Sequence, residues 1–256
     1  MPHPLKFIAF ETSTDMMSVA LGVGDQTWHL HTQGGANASA QLIPSIHNLL
    51  AQAQLRLSDL SALVIGHGPG SFTGLRTACS VAQGLAMGAK LKVIPVDTLM
   101  AVAEDARASL STALTSQVSV VMDARMGEVY GGAYAWHADS AQWHATVPLQ
   151  VGSPAQVAQA LITAHKLSGV LAGNGFEVYP DAFSEALAKC SDTPVLCVPA
   201  VPHALALLRL APALWAAGKA VDPEGVQPLY IRDKVAQTTA EREAIKAAKL
   251  AGLAPE

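Results

Sequence analysis

Two stretches of this 256-residue chain repeat one another in pattern, and the repetition constrains the fold more than any other feature. IAFETSTDMMSVAL (8–21) and VVMDARMGEVYGGA (120–133) each read as an apolar strand ending in an acid, a short polar turn and a second strand. Around the first lie the strand patterns 5–12, 17–24 and 26–33, with the hairpin signal Gly24-Asp25 between the last two. A helical pattern over 38–55 shows Leu42, Ile43, Ile46, Leu49, Leu50 and Ala53 at helical spacing. Pro44 removes a backbone donor there, so this helix is expected to start late or to kink. A buried strand at 62–68, a helix at 72–88, a strand at 91–96 and a helix from Asp97 complete the first half.

The second half begins again with strands at 118–124, 127–136 and 142–149, then a helix at 153–166 and the strand SGVLAGNG (168–175). Helices near 181–190 and 203–217 follow. Two halves that each run strand, strand, strand, helix, strand, helix predict a duplicated α/β architecture. The halves meet near 100–117, and a cleft between them is the default ligand site.

Half the residues are hydrophobic and 14% are charged, which describes a chain with a substantial core. The formal net charge of −4 argues against a protein that grips nucleic acid by itself. Cys79, Cys190 and Cys197 are too few and too scattered for a disulfide framework and read as reduced thiols. The N-terminal apolar run meets Glu11 before it could form an export signal, and the apolar segment 203–218 contains Arg209 and Pro212. A cytoplasmic protein without a membrane span is expected.

GHGPGSFTGLR (66–76) is the stretch most suggestive of chemistry. A phosphate loop of the Walker type requires a lysine, and none lies in it. A nucleophile elbow requires glycine two residues either side of the serine, yet Pro69 and Thr73 flank Ser71. A helix N-terminus with free amides can still attract an anion weakly, but the better reading is a tight turn into a helix capped by Ser71 or Thr73. No HExxH occurs, and His29 and His31 share a strand face without a further ligand nearby, so no metal site is expected. Glu11 and Asp123 end strands that should point at the cleft. Each is either a turn-capping acid or, as in actin-like and sugar-kinase-like ATPases, a holder of magnesium and water around a nucleotide.

Taken in order, ETSTDMMSVAL (11–21), GHGPGSFTGLR (66–76), AQGLAMG (82–88), PVDTLMA (95–101), DARMGEVY (123–130), AGNG (172–175) and PLYIRD (228–233) resemble the bacterial TsaB (YeaZ) family over about residues 5–236. The resemblance implies a duplicated actin-like, ribonuclease-H-like fold, with lobes at 1–107 and 108–236 and a tail at 237–256. It implies a non-catalytic scaffold that binds a TsaD-type transferase. Together with a TsaE-type ATPase, the two serve threonylcarbamoylation of the adenosine next to the anticodon in tRNA. By the same resemblance the free chain forms a homodimer and meets tRNA only through the complex. Transferases of the TsaD type carry two metal-binding histidines where this chain has Thr98 and Val102, which cannot replace them.

Helix 72–88 carries two rows of small residues, Ala78, Ala82 and Ala86 beside Ser80, Gly84 and Gly88. One row must face the chain's own sheet, and the other permits close approach of a partner helix. The expected partner surface comprises Leu42, Ile46, Leu49 and Leu50 of the first helix with Ala78, Ala82, Leu85 and Ala86 of the second. Glu11, Ser13, Asp123, Gly173 and Gly175 are the candidate lining of a nucleotide cleft, with no cofactor of its own and at most weak ATP or ADP binding. The alternative is an independent ATPase or carbamoyltransferase of the TsaD type, and a peptidase is a distant third.

Overall fold

The computed structural model describes residues 4–110, 116–164, 169–188 and 195–232. The first half forms β1 (Lys6–Glu11), β2 (Met16–Val23), β3 (Gln26–Gln33), α1 (Ala38–Gln52), β4 (Ala62–Gly68), α2 (Phe72–Ala89), β5 (Lys92–Asp97) and α3 (Thr98–Ser109). The second forms β6 (Gln117–Arg125), β7 (Glu128–His137), β8 (Gln142–Gly152), α4 (Pro154–Thr163), β9 (Val170–Gly173), α5 (Gly175–Val178), α6 (Pro180–Ala188), β10 (Leu196–Val198) and α7 (Ala204–Ala216).

The sheets run β3-β2-β1-β4-β5 and β8-β7-β6-β9-β10, the same order counted within each half. In both, the first three strands form an antiparallel meander and the last two add in parallel to the first. The fold is therefore the duplicated, actin-like α/β arrangement. The strand β10 is absent from the sequence reading, because three residues are too short for a period to register.

Buried residues form three packed groups. On the outer face of the first sheet, α1 and α2 cover Ile8, Phe10, Val19, Leu63 and Ile65. On the outer face of the second, Val157, Leu161 and Phe183 of α4 and α6 cover Val121, Val129 and Leu171. Between the sheets lies a shared core containing Leu99 and Val102 of α3 and Leu207 and Leu210 of α7. Although α7 follows the second sheet in sequence, it packs against β1 and β2 of the first, while α3 packs against β6. The expected lobe boundary at 107/108 falls inside α3, and the expected tail lies outside the described residues.

Sheets covered on both faces explain the strands. β1 reads FIAF, buried at every position from Phe7 to Phe10, and β4 is buried from Ala62 to Gly66. The edge strand β3 alternates exposed and half-buried residues and carries His29 and His31 on its outward positions. α1 starts at Ala38 and continues through Pro44, earlier than expected. Pro44 and Ala40, whose carbonyl loses a donor, both lie on the exposed side, where water can take the missing bond. Cys79 is buried and Cys197 half-buried, both as free thiols.

A buried ionic cluster ties the lobes together. Glu104 of α3, 1% exposed, accepts bonds from Arg107 at 2.8 and 2.9 Å, from Arg209 of α7 at 3.0 Å and from Trp143 of β8 at 3.1 Å. Beside it, His203 contacts Asp105 through Nε2 at 2.6 Å and caps α7 by accepting the Ala206 N–H on Nδ1.

Candidate functional site

The turn after β1, the loop before α2, the β6–β7 turn and the start of α5 enclose a cleft of about 610 Å³. Its lining includes Ser13, Asp15, Ser71, Thr98, Asp123, Arg125, Asn174 and Arg232. Met16, Met126, Val178 and Val201 also line it and are among the most exposed large apolar residues.

GHGPGSFTGLR closes one wall by lying directly against the β1–β2 turn. Ser71 donates its backbone N–H to the Ser13 carbonyl at 2.8 Å, and its hydroxyl caps α2 by accepting from the Gly74 amide. A Cβ on Gly66 would sit 1.6 Å from Glu11 Oε2, so that strand position requires glycine. The Gly68 amide donates to Thr98 Oγ1 at 3.2 Å, which joins the loop to the start of α3.

Of the residues expected to line a nucleotide cleft, Ser13 and Asp123 do so, one from each lobe. Glu11 does not reach it. Its carboxyl is 1% exposed beneath the turn, with Oε1 accepting the Ser13 amide at 2.6 Å. Burial raises its pKa above the ordinary glutamate range, partly countered by hydrogen bonds from Ser13. Gly173, at φ +113°, and Gly175 are buried against the Val121 backbone at the base of the second lobe and give the chain room to pass.

Asp123 is fully engaged by its own lobe. Oδ1 accepts the Arg125 amide at 2.9 Å and the Tyr179 hydroxyl at 3.1 Å, while Oδ2 faces the Arg125 guanidinium at 3.6 Å. Its amide donates to Asn174 Oδ1 at 2.9 Å. Arg125 reaches onward to Asp15 of the first lobe at 2.6 Å. These residues do not fit the magnesium that actin-like ATPases hold at this position. One acid is sealed below the floor, and the other already faces a guanidinium. Among the described residues, no group of three or more His, Cys, Asp or Glu could hold a metal.

Arg125, Asn174 and Arg232 were not anticipated as cleft residues, nor Tyr179 as a partner of Asp123. Arg125 and Asn174 stand in the DAR and AGNG stretches, and that adjacency was the available signal. Arg232 could not be placed from sequence. It arrives by a C-terminal strap that follows the first lobe, where Leu229 donates to the His67 carbonyl at 2.7 Å and Tyr230 packs on Phe72. Arg232 then enters the second lobe, donating to the Ala124 carbonyl at 2.9 Å and Glu128 at 2.6 Å.

The expected partner surface requires correction. Leu42, Ile46, Leu49, Leu50, Ala78, Ala82 and Ala86 are all 3% exposed or less, and Leu85 packs partly buried against the same core. They hold α1 and α2 on the first sheet. Both helices are amphipathic, and the apolar side faces the chain's own strands. The row that faces out is the other one, Ser80, Gly84 and Gly88, with exposed Met87 next to Gly88; Ile43 of α1 is exposed as well. A Cβ on Gly84 or Gly88 would meet nothing within 4 Å.

The family model described as TsaD, tRNA N6-adenosine threonylcarbamoyltransferase, matches residues 31–239. The tRNA threonylcarbamoyladenosine biosynthesis protein TsaB of Escherichia coli K12 is 36% identical over 236 residues, spanning 91% of this chain and 96% of that one. TsaB of Haemophilus influenzae is 32% identical over 237 residues, spanning 90% and 95%. Among solved structures, YeaZ from Pseudomonas aeruginosa superposes with a TM-score of 0.74 at 31% identity, covering 88% of this chain and 99% of that one. A second, uncharacterized structure, described as similar to the peptidase YeaZ from Pseudomonas aeruginosa, gives 0.73 at 29% identity, covering 89% and 100%. On these grounds, with the paired sheets, the chain belongs to the TsaB (YeaZ) family.

Proposed function

We propose that this chain is a non-catalytic subunit in threonylcarbamoyladenosine formation on tRNA, a scaffold that binds a TsaD-type transferase and works with a TsaE-type ATPase. The observation that carries the reading is the state of Thr98 and Val102, where such a transferase would hold its metal. The Thr98 hydroxyl accepts the Gly68 amide at 3.2 Å, and Val102 is sealed in the core at 0% exposure. Neither supplies the imidazole that such a metal site needs.

The partner is docked on the outward row of α2, Ser80, Gly84 and Gly88, with Met87 beside it. Small residues let a second helix approach within the 8–10 Å typical of helix pairs. In the free chain the same face takes a second copy. tRNA is met through the complex, in keeping with the net charge of −4. No helix among the described residues is long and apolar enough to cross a membrane, and the reading places the complex in the cytoplasm. Any ATP or ADP in the cleft is held weakly, since its acids are engaged elsewhere.

A second reading, an independent ATPase or carbamoyltransferase, is favoured by the match to the transferase family model over residues 31–239. Purification with TsaD- and TsaE-type proteins, then a tRNA modification assay omitting each in turn, separates the two. The scaffold reading expects no modification by this chain alone and none by the others without it. Transfer by the purified chain alone, lost in Asp123→Ala, would establish the second reading.

A further inference from the structure

We propose that Arg125 stands in for a divalent cation between the lobes, so that the cleft is bridged by a guanidinium and takes no metal. The inference rests on the cleft's geometry and is independent of the scaffold role. Three observations carry it.

Arg125 pairs with acids on both sides of the cleft: its guanidinium lies 3.6 Å from Asp123 Oδ2 in the second lobe and 2.6 Å from Asp15 in the first. In addition, the backbone is bent to put it there. The β6–β7 register shifts between Asp123 and Arg125, and Arg125 takes a left-handed φ of +62° that a non-glycine residue seldom adopts. Met126 at +60° and Gly127 at +74° then complete the tight two-residue turn. Finally, the carboxylate that receives it is fixed in advance. Tyr179 and the Arg125 amide occupy Oδ1 of Asp123, and its side chain is 11% exposed, so Oδ2 is presented to one cation in one direction.

A guanidinium offers a planar set of donors that remains charged at any relevant pH, so the bridge persists without a metal supply. Magnesium and manganese ask instead for oxygen ligands in octahedral geometry and keep several waters. With Arg125 in place, its positive charge repels such an ion from the Asp123–Asp15 gap. Without it, the oriented Asp123 carboxylate and the exposed Asp15 carboxylate of the other lobe both lose the cation they share, which leaves negative charge free for a hard, hydrated dication.

The test is titration of the full chain with Mn²⁺, following the signal of the free ion by electron paramagnetic resonance. Wild type, Arg125→Ala and Arg125→Gln are compared, each with Asp123→Asn added as the control. The arginine side chain is 71% exposed, and circular dichroism confirms folding; the glutamine variant keeps the chain length should alanine disturb the turn. Arg125→Ala or Arg125→Gln should bind Mn²⁺ at least about tenfold more tightly than wild type, a gain erased by Asp123→Asn. Wild type that binds Mn²⁺ as tightly as either variant would overturn the proposal. So would a gain that survives Asp123→Asn.

Discussion

The carbonyl oxygen of Thr12 fills the place a side chain on Gly74 would need: a Cβ there would lie 1.8 Å away. The Thr12 hydroxyl also donates to the Gly74 carbonyl at 2.8 Å, so the two residues are locked both ways. This contact fastens the first turn of α2 to the β1–β2 turn and sets one wall of the cleft. In an open helix, glycine to alanine gains about 1 kcal/mol from propensity. Here a backbone atom must move, and overpacking of that kind costs about 1–3 kcal/mol or more. Gly74→Ala should therefore lower the melting temperature, whereas Gly84→Ala and Gly88→Ala, with open space at both positions, should raise it. A Gly74→Ala protein as stable as wild type would show that the turn is free to yield.

Glu104 joins α3, α7 and β8 through Arg107, Arg209 and Trp143. Removing Glu104 strands Arg107 and the Trp143 indole N–H, while Arg209 keeps Asp105 at 3.6 Å, so the loss is about 1–3 kcal/mol. Glu104→Ala should lose stability on that scale in urea denaturation. Arg209→Met, by contrast, removes a side chain 35% exposed from a carboxylate that retains Arg107, and should cost less. Equal losses would mean that Arg209, not Arg107, is the essential partner.

Asp97 caps α3 by accepting the Leu99 amide at 2.9 Å, and its other oxygen accepts the Tyr134 hydroxyl at 2.5 Å. Burial pushes its pKa from 3.8 up to about 6, outweighing the hydrogen bonds from Tyr134 and the backbone that pull it down. The folded form thus keeps a proton that the unfolded chain releases. Its cost is absent below about pH 4, grows between 4 and 6, and is complete above 6. Asp97→Asn retains a good cap and cannot ionise. Relative to wild type, the variant should gain stability as pH rises through that window. The difference between their melting temperatures, measured from pH 4 to 7, should grow and then level off. A constant difference would mean that Asp97 ionises normally when folded.

The repeat of strand, acid, turn and strand made the duplicated fold legible, because a two-residue alternation and a helical period survive in any single sequence. The strand β10 and the strap through Arg232 did not, since one is too short for a period and the other has none. The cleft was partly legible. Asp123 was found because it ends a strand, but the same rule placed Glu11 in the cleft, where Gly66 instead gives it a buried niche. Least legible was which side of α2 faces outward. Both rows are small, and only the sheet's position decides that Ala78, Ala82 and Ala86 turn inward.

That inward turn changes which substitutions probe the partner. Arginine at Ala82 or glutamate at Leu49 would bury an unpaired charge in the core, so both should unfold the chain. Gly84→Arg instead places its charge on the exposed face of α2, where a Cβ meets nothing within 4 Å, and should leave melting close to that of wild type. If a partner helix packs on that face, the same arginine must be buried at the contact or hold the helices apart. Loss of several kcal/mol of docking corresponds to a fall in affinity of at least about a hundredfold. Sedimentation of the free chain and calorimetry against the TsaD-type partner measure the two contacts separately. Gly84→Arg should abolish both. Unchanged affinity in a folded Gly84→Arg protein would move the docking surface off α2 altogether.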